Sequence, residues 1–159
     1  MRGERMAGRE MLVKSPDADA AVREWFQALE RCCVAVDYES ARAIFATDVA
    51  SFGTKAEVVV GLGPLQRQQW EGIWPNIRDF SIDLDHMVAG GSESVAWGIA
   101  PWTSTGFSED GTPFDRPGRA TVVLERRGDT WLAVHTHFSL NPGTPARTHG
   151  PGGRLRVVD

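Results

Sequence analysis

The residues whose types and spacing best suit proton-transfer chemistry close one stretch of the chain, where Arg119 and Thr121 are followed by His135, His137 and Ser139. Side chains of an extended chain alternate with a period of two. Trp131, Ala133, His135, His137 and Ser139 are therefore expected on one face, and Leu132, Val134, Thr136, Phe138 and Leu140 on the other. An imidazole works as general base, general acid or ligand near neutral pH. His137 is the expected base, with His135 orienting it or polarising a substrate. Arg119 and Thr121 alternate along the preceding strand and share a face. Arg119 suits two-point contact with a carboxylate or enolate oxygen, while Thr121 and Ser139 suit hydrogen bonds to a ligand. Both faces of the last strand read as buried, and burying unsatisfied polar groups is costly, so the polar face is expected to line a cavity. The competing reading keeps both imidazoles structural, bonded to Ser139, Thr121 or backbone, and pairs Arg119 with Asp48 or another acid.

A His-x-His pair on a strand holds a metal only with a third ligand close by. Phe138, Ser139, Leu140 and Asn141 follow the pair, and the pattern does not bring His86 or His149 near it. No metal and no cofactor is expected. Cys32 and Cys33 are adjacent in a helical stretch and read as small buried hydrophobes. Six tryptophans supply large apolar area with one donor each. Trp25 and Trp70 are expected pocket walls, with Trp97 a further candidate, and such a pocket suits a flat, apolar or polycyclic molecule.

The elements that must position these groups follow from periodicity. Ser15-Pro16-Asp17 suits a helix start, after which Ala21, Val22, Trp25, Phe26, Leu29 and Cys33 mark one helical face. A short helix is expected over 38–45, short strands over 49–52 and 57–62, and a third helix from Gly63-Pro64 to about Trp74. The remainder is β-rich: an alternating strand over 80–88, one over 94–105 with a bulge or edge position at Pro101, and a last hairpin over 113–127 and 130–140. Helices followed by an antiparallel meander make an α+β domain with a pocket between the layers. Residues 1–15 read as a flexible N-terminal segment, 16–142 as the domain, and 143–159 as a Gly/Pro/Arg-rich tail. Arg147, Arg154 and Arg156 of that tail could reach an acidic ligand if it closed over the pocket.

At 159 residues the chain suits one domain, and its net charge of −4 offers no basic field for nucleic acid or anionic lipid. Lys14 and Lys55 are the only lysines and the arginines are scattered. No apolar run is long enough to span a bilayer as a helix. The charged N-terminus has no hydrophobic signal core, so a cytoplasmic location is expected.

Four features resemble the NTF2-like superfamily, in its SnoaL-like, ketosteroid-isomerase-related branch. They are Trp25-Phe-Gln-Ala-Leu29, Phe45-Ala-Thr-Asp48-Val, the strand–Gly–helix segment from Gly61 to Trp70, and the ending with Arg119-x-Thr121, Gly128-Asp-x-Trp131 and His135-x-His137-x-Ser139. The resemblance covers about residues 17–142. It implies a cone-shaped fold, three N-terminal helices packed on a strongly curved antiparallel sheet around a pocket. It also implies a homodimer through the outer sheet face, where Leu132, Val134, Phe138 and Leu140 are expected. The ketosteroid isomerase base, tyrosine and second acid resemble positions occupied here by Gly53, Trp25 and a residue near Thr121, so that chemistry is not expected. Asp48 is similar to a family position that ties the second helix to the first strand. Three functions stay open: a cofactor-independent lyase, isomerase or cyclase, a non-catalytic binder of a small apolar or aromatic molecule, and a dimeric structural module.

Overall fold

The computed structural model describes residues 12–13 and 17–152. Helix α1 (Ala18–Ala35) starts where the Asp17 carboxylate accepts from the Ala20 N–H at 2.8 Å. It ends at Val36, which takes a left-handed conformation (φ 51°), and the Asp37 N–H then donates to the Cys32 carbonyl at 2.9 Å. Asp37 caps α2 (Tyr38–Arg42) by accepting from the Ser40 N–H. Those Ser40 hydrogen bonds favour the Asp37 carboxylate and lower its pKa. The third helical segment is irregular: α3 (Leu62–Leu65) passes through a π-helical turn (Gln66–Trp70) into α4 (Glu71–Ile73) and a 3-10 turn (Trp74–Asn76).

The strands are β1 (Phe45–Phe52), β2 (Val59–Val60), β3 (Arg78–Ile82), β4 (Val88–Gly91), β5 (Val95–Phe107), β6 (Pro113–Asp115), β7 (Gly118–Arg127) and β8 (Thr130–Leu140). They form one curved, non-closed sheet in the order β2-β1-β8-β7-β5-β3, with β4 and β6 also paired to β5. Pairing is antiparallel except between β1 and β8. The helices cover one face of it, and α1 supplies much of the core through Val22, Trp25, Phe26 and Leu29. The sheet leaves room for them: Gly98 has no side chain where a Cβ would strike Val22.

Pro101 lies within β5 rather than at a bulge or the sheet edge. Its carbonyl accepts from the Asp83 N–H at 2.8 Å, so its ring nitrogen faces the break between β3 and β4 and no ladder bond is lost. Both tails touch the domain. Val13 is buried and forms an isolated bridge with Trp131. The Thr148 hydroxyl donates to the Asn76 carbonyl, and the His149 N–H donates to that of Phe107. Lys14, Ser15, Pro16, Arg154 and Arg156 lie outside the described residues. No described helix is long and apolar enough to cross a membrane.

Candidate functional site

One residue decides which face of β8 looks inward. Val123 pairs with His135 and Leu124 with Ala133, so Val134 has no partner opposite it. This is a β-bulge, and one extra residue moves every later side chain to the other face. Trp131 and Ala133 point into the core. Beyond the bulge Thr136 and Phe138 point in, and His135, His137 and Ser139 point out. The burial of Thr136 and the inward partners Ala120 and Val122 agree. The expectation of one continuous polar face is corrected accordingly: β8 changes phase halfway along.

His135, His137, Ser139, Arg119 and Thr121 are brought together, but on the outer face of the sheet. Thr121 lies opposite His137 and Arg119 opposite Ser139. His135 Nδ1 is bonded to the Ala50 carbonyl at 2.8 Å, and the Phe52 ring meets both imidazoles edge-on at 5.2 Å. Trp97 also lies on this face, 43% exposed beside Val95 and Ile99, and is not a pocket wall. Phe138 and Leu140, expected at a dimer interface, instead pack against the core. Trp25 is fully buried, its indole N–H donating to the Ile44 carbonyl at 2.8 Å, and does not line the cavity. Asp48 is largely exposed, 3.6 Å from Arg127, rather than paired with Arg119.

The cavity lies between the helices and the inner sheet face. Trp70, Trp74, Phe45, Phe80, Trp102 and Phe138 form most of its walls, with Gly53, Thr54, Gln69, Arg116 and Thr136 as further lining residues. Its empty space is about 550 Å³ counted out to the open mouth. The aromatic walls pack on one another: Trp70 stacks on Trp74 at 4.9 Å, Trp74 on Tyr38 at 5.5 Å, and Phe45 meets Trp70 at 4.9 Å.

Arg116 is the group in this cavity that the sequence reading missed. It follows β6 and pairs with Ser104 of β5 through both backbone bonds, which turns its side chain to the inner face. Gly106 makes room for it, since a Cβ there would meet the Arg116 stem and the Phe114 ring. The residue is 2% exposed. Its guanidinium donates to Thr54 Oγ1 at 3.0 Å and, at a longer 3.4 Å, to Ser104 Oγ, and it lies 5.5 Å from the centre of the Trp102 ring. Burial pushes its pKa down to about 10, because desolvation disfavours the cation. A signal was present: Arg116, Gly118, Ala120, Val122 and Leu124 alternate as one small or apolar set, headed by an arginine.

Gln69 supports the same corner. Its carbonyl oxygen accepts from the Lys55 and Ala56 N–H groups at 2.9 and 2.8 Å, and its amide donates to Thr54 Oγ1 at 2.9 Å. Gly53 must lack a side chain here, because a Cβ would overlap the Gln69 amide. On the opposite wall Thr136 shares a 2.7 Å hydrogen bond with Ser51. The Cys33 thiol also borders the cavity, and burial raises its pKa well above the ordinary thiol value. A thiol held in that form is a poor nucleophile. The lining therefore combines aromatic surface, hydroxyl and amide groups and one cation, with no imidazole or carboxylate among its residues.

The SnoaL-like domain family matches residues 18–142. A Streptomyces avermitilis NTF2-like family protein, described as a candidate dehydratase, superposes with a TM-score of 0.65 at 17% identity, covering 81% of this chain and all (100%) of that one. An NTF2-like superfamily protein of Salmonella enterica gives 0.64 at 14% identity, over 80% and 94% of the two chains. The CamKII hub homology domain of Chlamydamonas reinhardtii gives 0.61 at 20% identity, over 78% and 98%. At these identities the likeness is one of fold. Among curated proteins nothing matches the chain.

Proposed function

Because the chain belongs to the SnoaL-like domain family, with an NTF2-like fold, we propose that it is a small-molecule binding domain whose ligand sits between the helices and the inner sheet face. The observation that carries this reading is the make-up of the cavity lining. Aromatic walls and hydrogen-bonding groups surround open space, while the imidazoles that suit acid–base work lie on the other side of the sheet. A lyase or isomerase needs a proton acceptor within hydrogen-bond reach of its substrate, and neither Arg116 nor the high-pKa Cys33 thiol suits that task. Binding without covalent chemistry fits the lining better than cofactor-independent catalysis. The close stacking of the aromatic lining favours a small apolar or aromatic ligand over a polycyclic one.

The test is tryptophan fluorescence during titration with small aromatic compounds, using a Phe138→Trp variant to narrow the deep space. Binding that the bulkier side chain blocks supports the reading. Binding left unchanged by it places the ligand elsewhere.

A second feature favours a homodimer formed through the outer face. Val88, Val95, Trp97 and Ile99 are neighbours exposed there, at 43–52% of their full areas. A contiguous apolar patch of this kind marks an interaction surface, and a hub homology domain is among the structural neighbours. The occupant is a second copy of this chain. Trp97→Glu should then convert dimer to monomer in sedimentation equilibrium, whereas a wild-type protein that is already monomeric at micromolar concentration would refute the interface.

A further inference from the structure

We propose that the Arg116 corner of the cavity is an anion site that holds the carboxylate of a small apolar or aromatic monoacid. This rests on the reading of the cavity as a binding site and specifies what it binds. The first observation is charge. Arg116 is almost fully buried and lines the cavity, and its described hydrogen-bond partners are the neutral hydroxyls of Thr54 and Ser104. A desolvated cation is costly unless an opposite charge compensates it.

The second observation is the pattern of unused donors. Among the described residues, the buried side-chain nitrogens and oxygens without a hydrogen-bond partner are Arg116 Nε and Trp102 Nε1. Both atoms are N–H donors, and both residues line this one cavity, with the guanidinium set beside the indole ring. Buried donors of this kind are rarely left unsatisfied. Thr54 adds to the pattern. Its Oγ1 accepts from both Arg116 and the Gln69 amide, so its own proton remains available to another acceptor. Each of these groups offers hydrogen, and the complementary ligand is an acceptor bearing negative charge.

A carboxylate fits better than a phosphate. One guanidinium balances one charge, and its planar fork matches two carboxylate oxygens. A phosphate dianion would leave the second charge uncompensated against Trp70, Trp74, Phe80 and Phe138. Those rings suit the apolar part of the ligand, which extends from the deep space toward the open mouth.

The experiment is isothermal titration of the whole chain at pH 7 with propionate and benzoate, their neutral counterparts propionamide and benzamide, and inorganic phosphate. The expected result is binding of the carboxylates, with the amides weaker by about a hundredfold. Arg116→Met should remove carboxylate binding, Arg116→Lys should retain part of it, and Trp102→Phe should weaken it by about tenfold. Thermal unfolding of each variant confirms that it is folded. Equal binding of acids and amides, or carboxylate binding unchanged by Arg116→Met, would overturn the anion site and leave the cavity reading standing. Tighter binding of phosphate than of either acid would overturn the choice of carboxylate. No binding of any of these compounds would overturn the anion site. If the fluorescence titrations with neutral aromatics also fail, the cavity reading falls with it.

Discussion

Replacing Arg116 by methionine separates a residue kept for a ligand from one kept for the fold. The depression of its pKa from the ordinary guanidinium value to about 10 corresponds to about 3 kcal/mol of desolvation cost. Opposing that cost are the hydrogen bond to Thr54 at 3.0 Å, worth about 1 kcal/mol, and a weaker one to Ser104 at 3.4 Å. The guanidinium–indole contact with Trp102, at 5.5 Å, adds about 1 kcal/mol more. The terms nearly cancel. Methionine fills a similar volume beside Trp102 and Phe114, keeps the apolar packing and carries no charge. Thr54 Oγ1 keeps its bond from Gln69. Urea unfolding without ligand is therefore expected to show the variant within about 1 kcal/mol of wild type, or more stable than it. Adding benzoate should raise the midpoint of wild type alone, since a ligand stabilises only the state that binds it. A loss of about 3 kcal/mol or more in the empty variant, as when a compensated buried charge pair is broken, would refute the reasoning and make Arg116 a structural residue.

Further expectations follow from the same geometry. Carboxylate affinity should be constant from about pH 6 to 9 and fall above about pH 10, because Arg116 there loses the proton that the ligand needs; titration calorimetry across that range reads it, and affinity that rises with pH would contradict it. The stability linkage has the matching sign. The unfolded chain holds the Arg116 proton more tightly than the native one, so the penalty is fully present below about pH 10 and is relieved as pH climbs above it, and wild type should gain stability relative to Arg116→Met over that window. Burial raises the Cys32 pKa to about 11, and Cys32 does not line the cavity, so at pH 8 a thiol reagent should label it only as fast as the protein unfolds; labelling of Cys32 within seconds of mixing would show an open α1. Gly53→Ala should destabilise by about 2 kcal/mol, read by urea unfolding, because its methyl group displaces the Gln69 amide from three hydrogen bonds.

The fold was legible because its layers rest on repeating patterns. The apolar spacing from Ala21 to Cys33 marks the buried face of α1, and the alternation of β7 and β8 marks a hairpin. The site was not legible, for two physical reasons. The bulge at Val134 leaves no trace in composition, because Val134 and Ala133 are both apolar and alternation reads straight through them. The phase of the strand beyond it is set by register with Val123 and by the parallel neighbour β1, whose pairing also shifts between Phe45 and Ala50. Alternation groups His135 and His137 with Thr121, as the register does, but the bulge turns that group to the outer face. Arg116 was closer to reach. Its place in the alternating set with Gly118, Ala120, Val122 and Leu124 puts an arginine on a buried face, and that departure from apolar patterning is where functional groups are expected. The helical span before β3 was also simpler in sequence than in space. The π-helical turn at Gln66–Trp70 carries Gln69 and Trp70, both of which line the cavity, and such turns gather at functional sites.

The most direct test of the Arg116–Trp102 site is the two-dimensional proton–nitrogen spectrum of the tryptophan indoles during titration with benzoate. Each of the six indoles gives its own N–H signal, and Trp102→Phe and Trp97→Phe variants assign the two that matter. The expected result is a saturable downfield shift of the Trp102 signal as its unpaired N–H meets the carboxylate, absent in Arg116→Met, while Trp97 on the outer face stays in place. Movement of Trp97 with Trp102 unchanged would contradict it, and would return the ligand to the outer face with His135 and His137.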